Sequence, residues 1–100
     1  MINQKYILKG KKLVKADLIT WAKWFETTDR HVALTQVGKK EVSTVFLGID
    51  HNWGKGAPHL FETMIFPDAK LYGRYPTWEK AKEGHKKCVE ELEKKYKEFQ

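Results

Sequence analysis

The sequence predicts an α+β domain in which an antiparallel sheet of about four to five strands packs against two helices, in the order ββ-α-β-β-β-α. Apolar residues recur at helical spacing in two segments, one following Asp17 and one over residues 77–100. Short β-prone runs separated by glycine and proline turns fill most of the remaining chain. With 100 residues, of which 41% are apolar, the chain has the size of one domain spanning residues 1–100.

The first predicted element is a basic hairpin over residues 1–16, with a turn at Gly10 between two short β-prone runs. The net charge of +6 is concentrated here, because residues 1–15 contain no acidic residue and five lysines: Lys5, Lys9, Lys11, Lys12 and Lys15. Such a patch attracts nucleic-acid phosphates or an acidic protein surface, and it is equally typical of a solvated hairpin. The absence of arginine and the single aromatic residue, Tyr6, favour the solvated hairpin.

The first helix is predicted to start after Asp17, whose carboxylate suits an N-cap, and to end near Thr27. Its apolar residues follow at i, i+3, i+4 and i+7, which predicts one packed stripe made of Leu18, Trp21, Ala22 and Phe25.

Three strands are predicted to follow, at residues 31–37, 41–49 and 60–66. The second of these has bulky residues at both its odd and its even positions, which point to opposite faces of a sheet. This pattern favours a central strand that is covered on both faces over part of its length. Residues 50–59 contain two glycines and a proline and predict a loop. Residues 67–76 are predicted to be a second irregular connection.

The last helix is predicted over residues 77–100, with Thr77 as its N-cap. At about 22 residues it exceeds the strands in length, so its last turns are expected to overhang the sheet. The overhanging edge is a candidate surface for a homodimer or another partner, with fraying of the end as the alternative; its apolar residues are Leu92, Tyr96 and Phe99.

The densest polar cluster lies around the 50–59 loop, and its members are Asp50, His51, Asn52, His59 and Glu62. Carboxylates with imidazoles suit a metal ion or general acid–base chemistry. The cluster has no paired metal-binding motif, so a polar loop in which Asp50 and Asn52 hydrogen-bond to their own turn is the alternative.

Glu62 is unusual because it stands in an otherwise apolar strand, where an unpaired carboxylate is costly. It is predicted to lie near the strand end, to pair with Arg30 or Arg74, the only arginines, or to be a pocket carboxylate with a perturbed pKa.

Trp53, between polar and glycine residues of the loop, is a candidate binding anchor or base-stacking platform, or else a cap on the core.

The sequence shows no motif of a catalytic nucleophile, a catalytic histidine or a disulfide. Ser43 has no nucleophile elbow around it, and His85 lies on the apolar stripe of the last helix, as hydrogen-bonded core histidines do. The single cysteine, Cys88, excludes an internal disulfide and favours a reducing compartment.

Four segments resemble a family of small uncharacterised proteins encoded by tailed bacteriophages and prophages: residues 42–51, 61–66, 75–81 and Gly84-His85. The similarity covers about residues 20–90. The resemblance implies a cytoplasmic product made in a bacterial host cell. Small accessory proteins of this kind bind a host or defence protein, nucleic acid or a nucleotide. The resemblance transfers no catalytic role and no cofactor.

The leading hypothesis is therefore a non-enzymatic accessory protein that binds a host protein through Trp53, the 50–59 loop and the basic hairpin. The second is a metal-dependent enzyme or nucleotide-binding protein built on the Asp50–Glu62 cluster. The third is nucleic-acid binding through the hairpin lysines. No apolar run is long enough to predict a membrane segment.

Overall fold

The computed structural model describes residues 4–51 and 56–98, and it confirms the α+β class. The strands β1 and β2 form a two-stranded sheet. The strands β3 to β6 form a four-stranded sheet in chain order, with every neighbouring pair antiparallel. In chain order, the elements are β1 (Lys5–Lys9), β2 (Lys12–Ala16), α1 (Leu18–Thr27), β3 (His31–Val37), β4 (Lys40–Phe46), β5 (Phe61–Phe66), β6 (Lys70–Tyr75) and α2 (Trp78–Glu98).

The strand β6 corrects the prediction of an irregular connection over residues 67–76. Prolines bracket the segment and Gly73 interrupts it, so the local pattern carries little strand character. The strand forms because it pairs with β5, with Thr63 opposite Gly73 and Met64 opposite Leu71. Its backbone groups are therefore satisfied by a neighbour that the local sequence does not reveal.

Both predicted N-caps are present. The Asp17 carboxylate accepts a hydrogen bond from the Thr20 backbone N–H at 2.8 Å, and the Thr77 hydroxyl accepts one from the Lys80 N–H at 3.1 Å. Each bond satisfies an N–H group that has no partner inside its own helix. The start of each helix is consequently set by local chemistry.

The two helices differ in how they pack. The helix α2 crosses the four-stranded sheet, whereas α1 lies at the end of the sheet against β1. No residue of α1 is buried, and the prediction of one packed apolar stripe is wrong for two of its four residues, since Leu18 is 62% exposed and Ala22 is exposed as well. The helix is held instead by Trp21, whose indole N–H donates to the Gly48 carbonyl at 3.1 Å, and by Trp24, which packs edge-on against Phe46.

The core lies between α2 and the sheet and has two clusters. The basic hairpin attaches to the second cluster through three side chains of its inner face, and the Tyr6 N–H donates to the Gly48 carbonyl at 2.8 Å. The first cluster consists of Val37, Val42, Ile65 and Cys88, and the second of Phe46, Leu60, Phe61 and Ala81.

The strand β4 is central, between β3 and β5, and residues 42–44 are buried on both of its faces, which agrees with the predicted coverage over part of its length. The helix α2 covers the face that carries Val42, Thr44 and Phe46. The opposite face, here called the open face, carries apolar side chains that remain exposed, with Leu34 of β3 the most accessible. Among the helices of the described chain, none is both long and apolar enough to cross a membrane.

Candidate functional site

The 50–59 loop brings the Asp50 carboxylate to the backbone of His59, whereas the prediction was an approach of side chains. The Asp50 carboxylate accepts a hydrogen bond from the His59 backbone N–H at 2.8 Å. The His51 N–H donates to the His59 carbonyl at 3.0 Å, and the His51 ring lies 2.8 Å from the Ile49 carbonyl. The described polar groups thus bind backbone of the same loop. Asn52 and Trp53, which were also predicted to contribute, lie outside the described residues.

Glu62 does not join this loop. It lies on the open face, where one carboxylate oxygen accepts a hydrogen bond from Arg74 Nε at 3.0 Å. Its side chain is only 14% exposed, and the pairing compensates for part of the cost of removing the carboxylate from water. Of the two partners predicted, Arg74 is correct. Arg30 instead donates to the Phe46 carbonyl at 3.1 Å. Within residues 4–51 and 56–98, no three metal-ligating side chains converge.

A polar network lies buried under α2. Both ring nitrogens of His85 have hydroxyl partners, Nε2 with Thr35 at 2.8 Å and Nδ1 with Thr44 at 2.7 Å. The Thr44 hydroxyl also lies 2.5 Å from that of Thr63. Burial lowers the pKa of His85, and the charge of Lys82 lowers it further. The neutral, doubly hydrogen-bonded ring fits the expected core histidine, and it has no free nitrogen for acid–base work.

The residues behind the phage-family resemblance mostly serve this packed layer. Gly84 leaves room for the Tyr75 ring, since a Cβ at Gly84 would lie 2.2 Å from the nearest ring atom. Phe61 and Ala81 are fully buried in the second core cluster. The pattern therefore describes how a helix fits onto a sheet, and it locates no catalytic group.

The hairpin lysines do not form one surface. Lys9 and Lys12 pair across the strands, and with Lys11 they make an exposed group at the hairpin tip, residues 9–12. Lys5 is at the other end of the hairpin, half-buried, with its ammonium 5.8 Å from the centre of the Trp21 ring. Lys15 lies opposite Tyr6. The positive charge of the hairpin is therefore strongest at its tip.

Beside this tip lies a cleft of about 240 Å³ that the sequence did not predict. Two indoles, Trp24 and Trp78, line it together with Gly10 of the tip. The segment Asp29–His31 supplies polar side chains on its lining. The residues come from the hairpin, the end of α1, the start of β3 and the start of α2, so no local pattern in the sequence could indicate the cleft.

The Asp29 carboxylate holds the imidazole of His31 at the cleft. The same oxygen accepts from the His31 backbone N–H at 3.0 Å and lies 2.8 Å from His31 Nδ1. These contacts lower the pKa of Asp29, the backbone hydrogen bond most of all. A ring that donates through Nδ1 directs Nε2 away from the carboxylate.

The open face is the other unusual surface. Cross-strand register aligns Leu34, Ser43, Met64 and Leu71 in one row across all four strands. Leu34 is 54% exposed, Leu71 46% and Phe66, in the next row, 37%. The Glu62–Arg74 pair borders the row on its other side, where Glu62 faces Val45. Three of the six large apolar residues that are exposed in the described chain thus lie on this face, whereas Ser43 in the middle of the row is buried.

The predicted partner surface at the end of α2 is largely used within the chain. Leu92 packs on the first core cluster. The ring of Tyr96 lies over Gly38 in the β3–β4 turn, although 49% of this residue stays exposed. Phe99, the third predicted member, lies outside the described residues.

Comparison with family models, curated proteins and solved structures finds no match to this chain. The resemblance to phage proteins therefore stays a prediction.

Proposed function

We propose that this chain is a non-enzymatic accessory protein that acts in the bacterial cytoplasm by binding another protein through the open face of its four-stranded sheet. The observation that carries the proposal is the cross-strand row formed by Leu34, Ser43, Met64 and Leu71.

The composition of this face supports a binding role. An antiparallel sheet with one solvated face normally alternates apolar residues toward the core with polar residues toward water. Here Leu34 and Leu71, each about half exposed, stand at the two ends of an outward row. Grouped exposed apolar side chains of this kind mark interaction surfaces more often than scattered ones do.

The border of the face supports a specific fit. Glu62 and Arg74 neutralise one another beside the row, so a partner does not have to desolvate an unpaired charge there. On the other side of the Leu34–Leu71 row, the next cross-strand row contains Gln36, Glu41 and Phe66. An apolar centre with a polar border is the usual anatomy of a protein interface.

The size of the face favours a transient partner over an obligate one. Four strands spaced about 4.8 Å apart, with about six residues each, present roughly 300–400 Å². Doubled over two partners, this is below the roughly 1,200 Å² of a standard stable interface. The partner therefore reaches beyond the row, or it binds weakly and reversibly.

Site-specific photocrosslinking tests this proposal. A photoreactive phenylalanine analogue is placed at Leu71 on the open face or, as a control, at Lys87 on the exposed side of α2, and the protein is irradiated in bacterial cells. We expect one defined adduct from position 71, identified by mass spectrometry, and none from position 87. The same adduct should disappear when Leu34→Glu is added, because the charge then lies in the same cross-strand row of the open face as position 71.

The melting temperature of Leu34→Glu should change little, since Leu34 is half exposed. Equal adducts from positions 71 and 87 would contradict the proposal. An adduct made only of two copies of this chain, lost in Leu34→Glu, would assign the face to self-association instead.

A further inference from the structure

The cleft beside the hairpin tip has the chemistry of a ligand site that is separate from the open face. Its two indoles are anchored by edge-on contacts with the core. The ring centres of Trp24 and Phe46 are 5.6 Å apart, and the two ring planes meet at 87°. The ring centres of Trp78 and Phe61 are 6.3 Å apart, with an angle of 89° between the planes. Rigid aromatic walls lose little conformational freedom when a flat ligand binds.

The size of the cleft restricts the ligand. A volume of about 240 Å³ is below the roughly 300–1,000 Å³ of sites for drug-sized molecules. It accommodates one planar ring system, with the remainder of the ligand outside. Two indoles on the lining favour a heterocyclic base, because every base presents a π face for stacking.

The polar side of the cleft provides recognition groups. His31 is oriented by Asp29 through Nδ1, so its Nε2 is available for the edge of a base. Arg30 is fixed by its bond to the Phe46 carbonyl and by the ring of Phe25, whose centre lies 3.8 Å from the guanidinium carbon. It therefore acts as a fixed positive charge beneath the site.

The rim is basic. Gly10 lines the cleft, and its neighbours in the hairpin tip, Lys9, Lys11 and Lys12, are all exposed. An anionic group attached to a ligand in the cleft would meet these ammonium groups. The acidic group on the lining, Asp29, is hydrogen-bonded to His31, and its side chain is 81% exposed. Flat aromatic walls next to a cationic rim match a base joined to a phosphate.

We propose that this cleft binds a nucleotide, with the base between Trp24 and Trp78 and the phosphate at the hairpin tip. The same chemistry is offered by a free nucleoside monophosphate and by one nucleotide of a single strand.

Nuclear magnetic resonance of the indole N–H groups tests the site directly. We expect AMP and UMP to shift the Trp24 and Trp78 signals in a saturable manner. The Trp21 signal should stay in place, because that indole bonds to the Gly48 carbonyl away from the cleft. Inorganic phosphate alone should leave all three signals unchanged. Unmoved Trp24 and Trp78 signals at millimolar nucleotide would overturn the proposal, as would larger shifts with N-acetyltryptophanamide than with nucleotide.

Charge reversal tests the rim. The double variant Lys11→Glu/Lys12→Glu should weaken nucleotide binding about tenfold, since charged hydrogen bonds to the phosphate are lost. The matched control, Lys94→Glu/Lys95→Glu, makes the same charge change on exposed residues of α2 about 24 Å along the helix from Trp78, and it should leave affinity within twofold. If both variants weakened nucleotide binding equally, the effect would come from the net charge of the protein, and the proposed site would be wrong.

Titration with a hexanucleotide of deoxythymidine distinguishes a free nucleotide from single-stranded nucleic acid as the ligand. Tighter binding than UMP with a steep salt dependence indicates single-stranded nucleic acid, because several phosphates then release counterions. Binding no tighter than UMP indicates a free nucleotide. Leu34→Glu on the open face should not affect either titration, so failure of the protein-binding proposal and failure of this one are distinguishable.

Discussion

The two faces of the four-stranded sheet are built from alternate residues of the same strands, yet one face is covered by α2 and the other is not. In β5, Phe61, Thr63 and Ile65 are buried under α2, while Met64 and Phe66 of the same strand point to the open face. Both faces carry apolar side chains, but only one has a helix over it among the described elements. Apolar character at a strand position therefore indicates that a residue is suited to contact another surface, without specifying whether that surface belongs to the same chain.

The largest expected contrast between the faces comes from two phenylalanines of β5. Phe61→Ala should lower the free energy of unfolding by about 3–5 kcal/mol, because it leaves a cavity against Phe46 and Trp78 in a fully packed cluster. Phe66→Ala should cost about 1 kcal/mol or less, since Phe66 already contacts water. Urea unfolding of both variants measures the difference. Similar losses would mean that the open face is covered in solution.

The closeness of the fit between α2 and the covered face can be tested at Gly84. Gly84→Ala improves helix propensity by about 1 kcal/mol, but the new Cβ would lie 2.2 Å from a Tyr75 ring atom. We expect a net loss of about 1–3 kcal/mol in unfolding free energy. The neighbouring control Glu83→Ala, at an exposed position, should stay within about 0.5 kcal/mol of the original chain. A stabilised Gly84→Ala would show that Tyr75 moves aside freely.

The smallest expected effect is a pH dependence that only the covered face has. Burial lowers the pKa of His85 in the folded protein, so the unfolded chain binds a proton at a higher pH than the folded chain does. The contribution of the neutral ring to stability is therefore complete above the ordinary histidine pKa of 6.5, and it is lost as the pH falls below that value.

Urea unfolding from about pH 7.5 to about pH 5 should show this decline, and His85→Gln should reduce its slope. Open-face variants such as Phe66→Ala should keep the original slope. Parallel curves for His85→Gln and the original chain would place the titration elsewhere.

Much of the fold was predictable because its determinants are local. Asp17 and Thr77 cap their helices with their own side chains, and the Gly10 turn adopts a positive φ of 64° that glycine tolerates. The ion pair of Glu62 with Arg74 was one of the alternatives that the sequence left open, because a lone carboxylate in an apolar strand is costly. Strand β6 was missed because its backbone is satisfied by pairing with β5, and its own residues signal a turn.

The candidate sites were less predictable. The sequence directed attention to Asp50, His51 and His59, whose described contacts are with the backbone of their own loop. The cleft and the open face both went unrecognised. The cleft that Trp24 and Trp78 share arises only when the two helices, the hairpin and the start of β3 come together.

The sequence by itself indicated the α+β class, both helix starts and the basic hairpin, because these depend mainly on patterns of neighbouring residues. Only the tertiary structure decided which face of the sheet α2 covers, that Leu34, Ser43, Met64 and Leu71 form one row, and that two distant indoles share a cleft. Those features depend on strand register and helix placement, which are set by the combined packing energy of segments far apart in the chain.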